Sequence, residues 1–140
     1  MPIDRARPPS LPIYARWPCG RLRITGFLAE NEGMAGLSVQ FNPYDAVRID
    51  LKDSIFRDCA LKEPFFPPLY VQGLDAKDLP VGNLHFENLT VKDDRDRPIL
   101  KIRDRKGNGI KAITGEIILE RNGQRKSIVI DDAWLEMMRE

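Results

Sequence analysis

The chain has 140 residues, 42% of them hydrophobic, with 22 basic and 21 acidic side chains and a formal net charge of +1. That balance gives no electrostatic reason to expect a nucleic-acid partner or an anionic membrane. No apolar run approaches the ~20 residues that a membrane helix needs, and the length fits one domain burying roughly two-thirds of its unfolded surface.

Residues 1–20 carry Pro2, Pro8, Pro9, Pro12 and Pro18. Proline fixes φ and removes a ladder donor, so an extended, irregular lead-in is expected here. Ile13, Tyr14 and Trp17 are apolar enough to cover an open end of the domain. Met1 to Pro18 holds Arg5, Arg7 and Arg16 and has no apolar core of signal-peptide type, which leaves the localisation unknown. Cys19 and Cys59 are the two cysteines, too few for a disulfide framework or a metal site. Cys59 reads as a small core residue, with a Cys19–Cys59 bridge as the alternative.

Beyond Gly20 the chain alternates as strands do. Leu22-Arg23-Ile24 comes first, then Leu37, Val39 and Phe41 on one face, then Val47 to Leu51. Leu69-Tyr70-Val71-Gln72 follows a proline-rich insertion at 63–68, and Ile99 to Arg103 follows the charged turn Asp93 to Pro98. Two ladders advance together. Val39, Val71, Ile102 and Ile130 occupy matching strands at spacings of 32, 31 and 28. A six-residue motif, apolar–polar–bend–apolar–polar–apolar, recurs at Ile24 to Ala29, Phe56 to Leu61, Phe86 to Val91 and Ile113 to Ile118. Its leaders are 32, 30 and 27 residues apart. The third position is Gly26, Asp58, Asn88 or Gly115, residue types that enter left-handed backbone at least cost.

A fixed motif at such a period predicts a repeat architecture. Pointing directions place Phe27 and Ala29, Cys59 and Leu61, Leu89 and Val91, and Ile118 inward, with Glu116 breaking the pattern in the last copy. Starting the second copy at Leu51-Lys52-Asp53 gives spacings of 27, 35 and 27. That phase is less regular, so Asp58 is preferred as the bend, and Val47 to Leu51 reads as an extra strand peculiar to one coil.

These motifs resemble the sheet–tight-turn–sheet segments of right-handed parallel β-helices, the pectate-lyase-like superfamily, over roughly residues 20–130. The resemblance implies an all-β fold: a short right-handed parallel β-helix, or solenoid, of about three to four coils over residues 21–120. Residues 121–140 then form a hairpin return strand and a capping helix. Asn122-Gly123 between alternating runs is the hairpin signal, and Asp131 before Trp134, Leu135 and Met138 is the helix start. A stack with an open first coil and a capped last one looks like the C-terminal coils of a longer member.

Function is carried by the resemblance more than by residues. It implies a non-catalytic C-terminal segment of a carbohydrate-active type of β-helix protein, possessing at most a glycan-binding face and usually secreted. The matching outer face would present Gln40, Tyr70, Gln72, Lys101 and Arg103. One alternative is a polysaccharide lyase or glycoside hydrolase using Asp93, Asp94 and Asp96, since two carboxylates can cleave a glycosidic bond and three can hold calcium. The same turn also reads as a solvated loop in which Arg95 and Arg97 neutralise the acids. A second alternative is a structural or assembly module that pairs through an open coil edge, with itself or with upstream coils. Outside the calcium option, no metal or other cofactor is implied. His85 points outward from a strand, Asn88 is the bend rather than a glycan acceptor, and Asp104 to Gly109 lacks the Lys-Ser/Thr pair and the following helix of a phosphate loop.

Overall fold

The computed structural model describes residues 13–15, 21–30, 35–41, 47–61, 67–73, 82–104 and 110–139. Trp17, Cys19 and the 105–109 part of the glycine-containing loop lie outside them. Among the described residues, ten strands and one helix make an all-β fold. They are β1 (Ile13–Ala15), β2 (Arg21–Thr25), β3 (Leu28–Glu30), β4 (Leu37–Phe41), β5 (Val47–Arg57), β6 (Leu69–Gly73), β7 (Gly82–Lys92), β8 (Leu100–Asp104), β9 (Ile110–Arg121), β10 (Gln124–Val129) and α1 (Asp132–Met138). β1 falls inside the lead-in expected to be irregular.

Two sheets face each other. The smaller has the order β1-β4-β6-β8 and the larger β10-β9-β7-β5-β2, with β3 also on β5. From β4 to β9, consecutive strands alternate between the sheets, and every pairing except β9–β10 is parallel. The expected ladder of Val39, Val71 and Ile102 is in register across β4, β6 and β8. Its fourth member is not there. Ile130 follows β10 and donates its N–H to the Gly115 carbonyl at 3.1 Å, while Arg139 bridges Ile102.

Apolar rows from both sheets meet in one core. Leu37, Val39, Leu69, Val71, Leu100 and Ile102 face Ile49, Leu51, Phe56, Leu84, Phe86, Leu89, Val91, Ile113 and Ile117. Each large side chain buried there contributes about 1.5–3 kcal/mol. Cys59 is fully buried among them, as expected, with its thiol 3.7 Å from the Ala29 carbonyl.

The bends differ from the sequence expectation. In the larger sheet Ile24 pairs with Leu51 and Leu51 with Phe86. Left-handed φ occurs at Gly26 (+71°), Asp53 (+52°), Asn88 (+51°) and Gly115 (+111°). The second bend is therefore Asp53, and the less regular phase is the one adopted. The loops crossing between sheets vary in length, so even spacing is no guide to register. Val47 to Leu51 is no extra strand either, because Arg48 to Leu51 pair with Arg21 to Ile24 on one side and Val47 to Leu51 pair with Gly82 to Phe86 on the other. Asp58 does have φ +53°, but it lies at a second corner, where its N–H reaches the Lys92 carbonyl at 3.0 Å.

Two side chains, Asn88 and Ser54, fix the bend at Asp53. Asn88 Nδ2 donates to Asp53 Oδ1 at 2.7 Å, so adjacent bends are bonded to each other. Ser54, buried just past Asp53, accepts the Phe27 N–H at 3.2 Å and donates to the Lys52 carbonyl at 3.0 Å. The hydroxyl thereby replaces ladder partners lost where the strand kinks.

The fourth copy slips. Ile113 pairs with Leu84 rather than Phe86, and between the Phe86–Gly115 and Leu89–Ile117 pairs two residues oppose one. The extra residue is on β7, so β9 keeps its alternation through the bulge, and Ile113 and Ile117 share the inward face. Ile117 becomes fully buried, and Ile118, expected inside, is only partly buried. Glu116 is exposed because it does not occupy an inward position. Leu61, also expected inside, is 39% exposed, beyond the Asp58 corner.

The last elements follow the sequence. Asn122 and Gly123 have φ of +53° and +79° between antiparallel β9 and β10, the twist-compatible hairpin geometry. Asp131 caps α1 by accepting the Trp134 N–H at 2.8 Å. Seven residues make a marginal helix alone, and Trp134, Leu135 and Met138 hold it against the core beside β8. It is too short and polar to cross a membrane.

Candidate functional site

The two surfaces singled out from sequence are both ordered. On the smaller sheet Tyr70 pairs with Lys101 and Gln72 with Arg103, because alternation puts all four on the outer face. Ser38 and Gln40 extend these two rows along β4. Gln72 Nε2 donates to the Tyr70 hydroxyl at 3.3 Å. Tyr70 is only 9% exposed, so its ring offers little area for stacking on a sugar.

The enzymatic alternative needs the three carboxylates of the acidic turn together, but the turn gives each a different task. Asp93 is 3% exposed, and the Arg97 guanidinium grips it from Nε to Oδ2 at 2.8 Å and from Nη2 to Oδ1 at 3.1 Å. Arg121 Nη2 lies 3.7 Å from the same Oδ2. Asp94 accepts the Asn122 N–H at 2.8 Å and sits 3.7 Å from Lys92 Nζ. Asp96 is exposed. Both Asp93 oxygens are taken by guanidinium N–H groups. A cation placed there would also meet the Arg97 charge. Among the described residues no group of three or more His, Cys, Asp or Glu side chains is placed to hold a metal ion.

The turn is not a solvated loop either. Arg97 donates to the carbonyls of Cys59 at 2.8 Å and Ala60 at 3.2 Å, and Arg95 to those of Ala60 at 3.4 Å and Leu61 at 3.0 Å. Ala60 has φ +55°, a conformation disfavoured for a residue with a Cβ, and its carbonyl needs these donors. Arg121 Nε donates to the Asp93 carbonyl at 2.8 Å, and Nη2 to that of Arg97 at 2.9 Å. Three arginines and one buried aspartate thus clamp the 58–61 corner, the 93–97 turn and the start of the hairpin. Arg121 was missed in the sequence. Its cue was its place directly after Glu120, the register partner of Lys92, which precedes Asp93.

A third polar row runs across the larger sheet. Arg23, Asp50, His85 and Thr114 are consecutive register partners. His85 points outward, as expected, with Nδ1 2.8 Å from Thr114 Oγ1. Asp50 Oδ1 accepts from Arg48 Nε at 3.1 Å, and Asp50 Oδ2 from Arg21 Nε at 3.3 Å. The Arg48 hydrogen bonds, with the charges of Arg48 and Arg21, hold the Asp50 carboxyl below the usual carboxylate range against the opposing effect of desolvation. A lowered folded-state pKa stabilises above the unfolded value of about 3.9, and that stability disappears as pH falls through the folded value. Urea melts between pH 7 and pH 3 are expected to show this loss in wild type. Asp50→Asn should be less stable at pH 7 and should lose less on acidification; parallel curves would remove Asp50 from the acid response.

Comparison of the chain with protein-family models, with curated proteins and with solved structures finds no match.

Proposed function

We propose that this chain is a non-catalytic module, the capped end of a longer right-handed parallel β-helix of the carbohydrate-active type, which docks through its β2–β3 edge. The winding is supported by strands that alternate between two parallel sheets with stacked bends, and right-handedness is the rule for parallel crossovers. The observation that carries the module reading is the difference between the two ends. At one end the hairpin, α1 and the Arg139 bridge finish the stack. At the other, Leu22, Ile24 and Phe27 occupy the inward row but are only partly buried. Their counterparts Ile49, Leu51, Leu84 and Phe86 are 1% exposed. An inward row left half-covered is what a stack has where the next coil would sit.

Hydrogen exchange on residues 1–140 tests this. The amides of Arg23 and Thr25 are expected to exchange rapidly while those of Leu51 and Phe86 are protected. Protection of Arg23 and Thr25 equal to that of Leu51 would mean that the edge is already closed within this chain, and would end the docking reading.

A glycan-binding face is the second reading. It is favoured by the register that gathers Tyr70, Gln72, Lys101 and Arg103 on one outer surface. The enzymatic alternative draws no support from the turn, because Asp93 is engaged by Arg97 and Arg121.

A further inference from the structure

The open edge carries a charge pattern as well as an apolar one. Gly26 donates to the Lys52 carbonyl at 3.0 Å, and the Phe27 carbonyl accepts from Ile55 at 2.8 Å. Backbone groups alternate sides along a strand, so Leu22, Ile24 and Ala29 direct theirs to β5. Arg21, Arg23, Thr25, Leu28 and Glu30 then direct theirs away from β5, to the edge where no described strand pairs. A strand laid there would add to the sheet by backbone hydrogen bonds, with side-chain neighbours setting its preference.

Those neighbours are specified. The inward row at the edge is Leu22 and Ile24, which calls for apolar residues. The outward row is Arg21 and Arg23, both exposed. Arg21 shares Asp50 with Arg48, at 3.3 Å and 3.0 Å. Arg23, register partner of Asp50, makes no ion pair among the described residues. Two guanidinium groups, those of Arg21 and Arg48, therefore share one carboxylate at this corner, and Arg23 stands in register beside them. Within the sheet Asp50 stands opposite Arg23 and Glu87 opposite Lys52; on the outer side of β2 no described strand supplies an acid to Arg21 and Arg23.

We infer that the β2–β3 edge accepts an extended strand that alternates apolar residues with acidic ones, the acids opposite Arg21 and Arg23. A second copy presenting the same edge is a poor occupant. Two-fold pairing of β2 with itself sets arginines against arginines, and like charges directly opposite destabilise a strand pair. β10, the far edge of the same sheet, is blunted by Arg125 and Lys126, the cationic protection that edges commonly carry. The occupant it fits is an extended acidic–apolar peptide segment of another chain.

This inference rests on the docking reading above, and a binding assay separates the two. Two labelled, end-blocked decapeptides, one alternating glutamate with valine and one alternating lysine with valine, are titrated into residues 1–140 with anisotropy as readout. The glutamate peptide is expected to bind at least tenfold tighter, by an amount that shrinks with salt as exposed ion pairs do. Arg23→Glu, an exposed substitution that sets a second carboxylate opposite Asp50, should abolish the preference at a modest cost in thermal midpoint. Thr25→Pro, which removes an edge N–H without disturbing the β5 side, should weaken both peptides together. Equal affinity for the two peptides, no binding of either, or a preference unaffected by Arg23→Glu would overturn the inference. Fast exchange at Arg23 and Thr25 combined with any of those results would leave the docking reading standing and remove only the acidic partner.

Discussion

Arg97→Ala is expected to cost about 3–5 kcal/mol of folding stability, the range for removing one partner of a buried ion pair. The side chains of Arg97 and Asp93 are 8% and 4% exposed, so solvent does little to screen the charge left behind. The loss goes beyond the pair, because the Cys59 and Ala60 carbonyls also lose donors. Lysine cannot restore the site, since one ammonium cannot grip both carboxylate oxygens and reach two carbonyls. Removing both charges with Asp93→Leu and Arg97→Met should recover part of the loss but not all, because those carbonyls stay unsatisfied. Urea denaturation of the single and double variants measures this. A loss below about 1 kcal/mol for Arg97→Ala would place the pair among ordinary surface salt bridges and remove the clamp.

Gly115→Ala should be more damaging than its counterpart Gly26→Ala, although both glycines are bends of the same motif. A Cβ on Gly115 would stand 1.9 Å from the Phe86 carbonyl oxygen, which is backbone and cannot swing away. The β7–β9 bulge would have to open, and the expected cost exceeds about 4 kcal/mol or prevents folding. Gly26 also has positive φ, but a Cβ there meets nothing within 4 Å. Its alanine variant bears only the left-handed penalty of about 1–2 kcal/mol. Thermal and urea melts of the two variants should differ widely. Equal losses would mean that Gly115 is selected for φ alone, and that β7 and β9 do not approach so closely at the bulge.

Much of the fold was legible because it depends on local rules. Alternation located the strands, Val39, Val71 and Ile102 marked one sheet, and Asn122-Gly123 and Asp131 announced the hairpin and the helix cap. The phase of the bends was not legible. Asp53 and Asp58 both follow an apolar–polar pair and both adopt positive φ. What distinguishes them is Ser54, a polar residue at an inward position that its three-dimensional hydrogen bonds make tolerable. The slip at Gly115 was hidden for a similar reason, since a bulge is a relation between strands and leaves no mark in either one. The outer face of the smaller sheet was readable from alternation alone. The acidic turn was not, because the groups that bury Asp93 and Arg97 come from Cys59, Ala60 and Arg121, 24 to 38 residues away.

The stacking of bends at Asp53 and Asn88 underlies the proposed winding, the proposed docking edge and the charge pattern along it. Cross-strand backbone NOEs between β5 and β7 test that register directly. In-register parallel neighbours lie about 5 Å apart, and a five-residue shift moves them about 16 Å along the strand. Leu51 is expected to show contacts with residues flanking Phe86, and Phe56 with residues flanking Val91. Contacts joining Phe56 to the neighbours of Phe86 would contradict the stacked bends and the edge built on them.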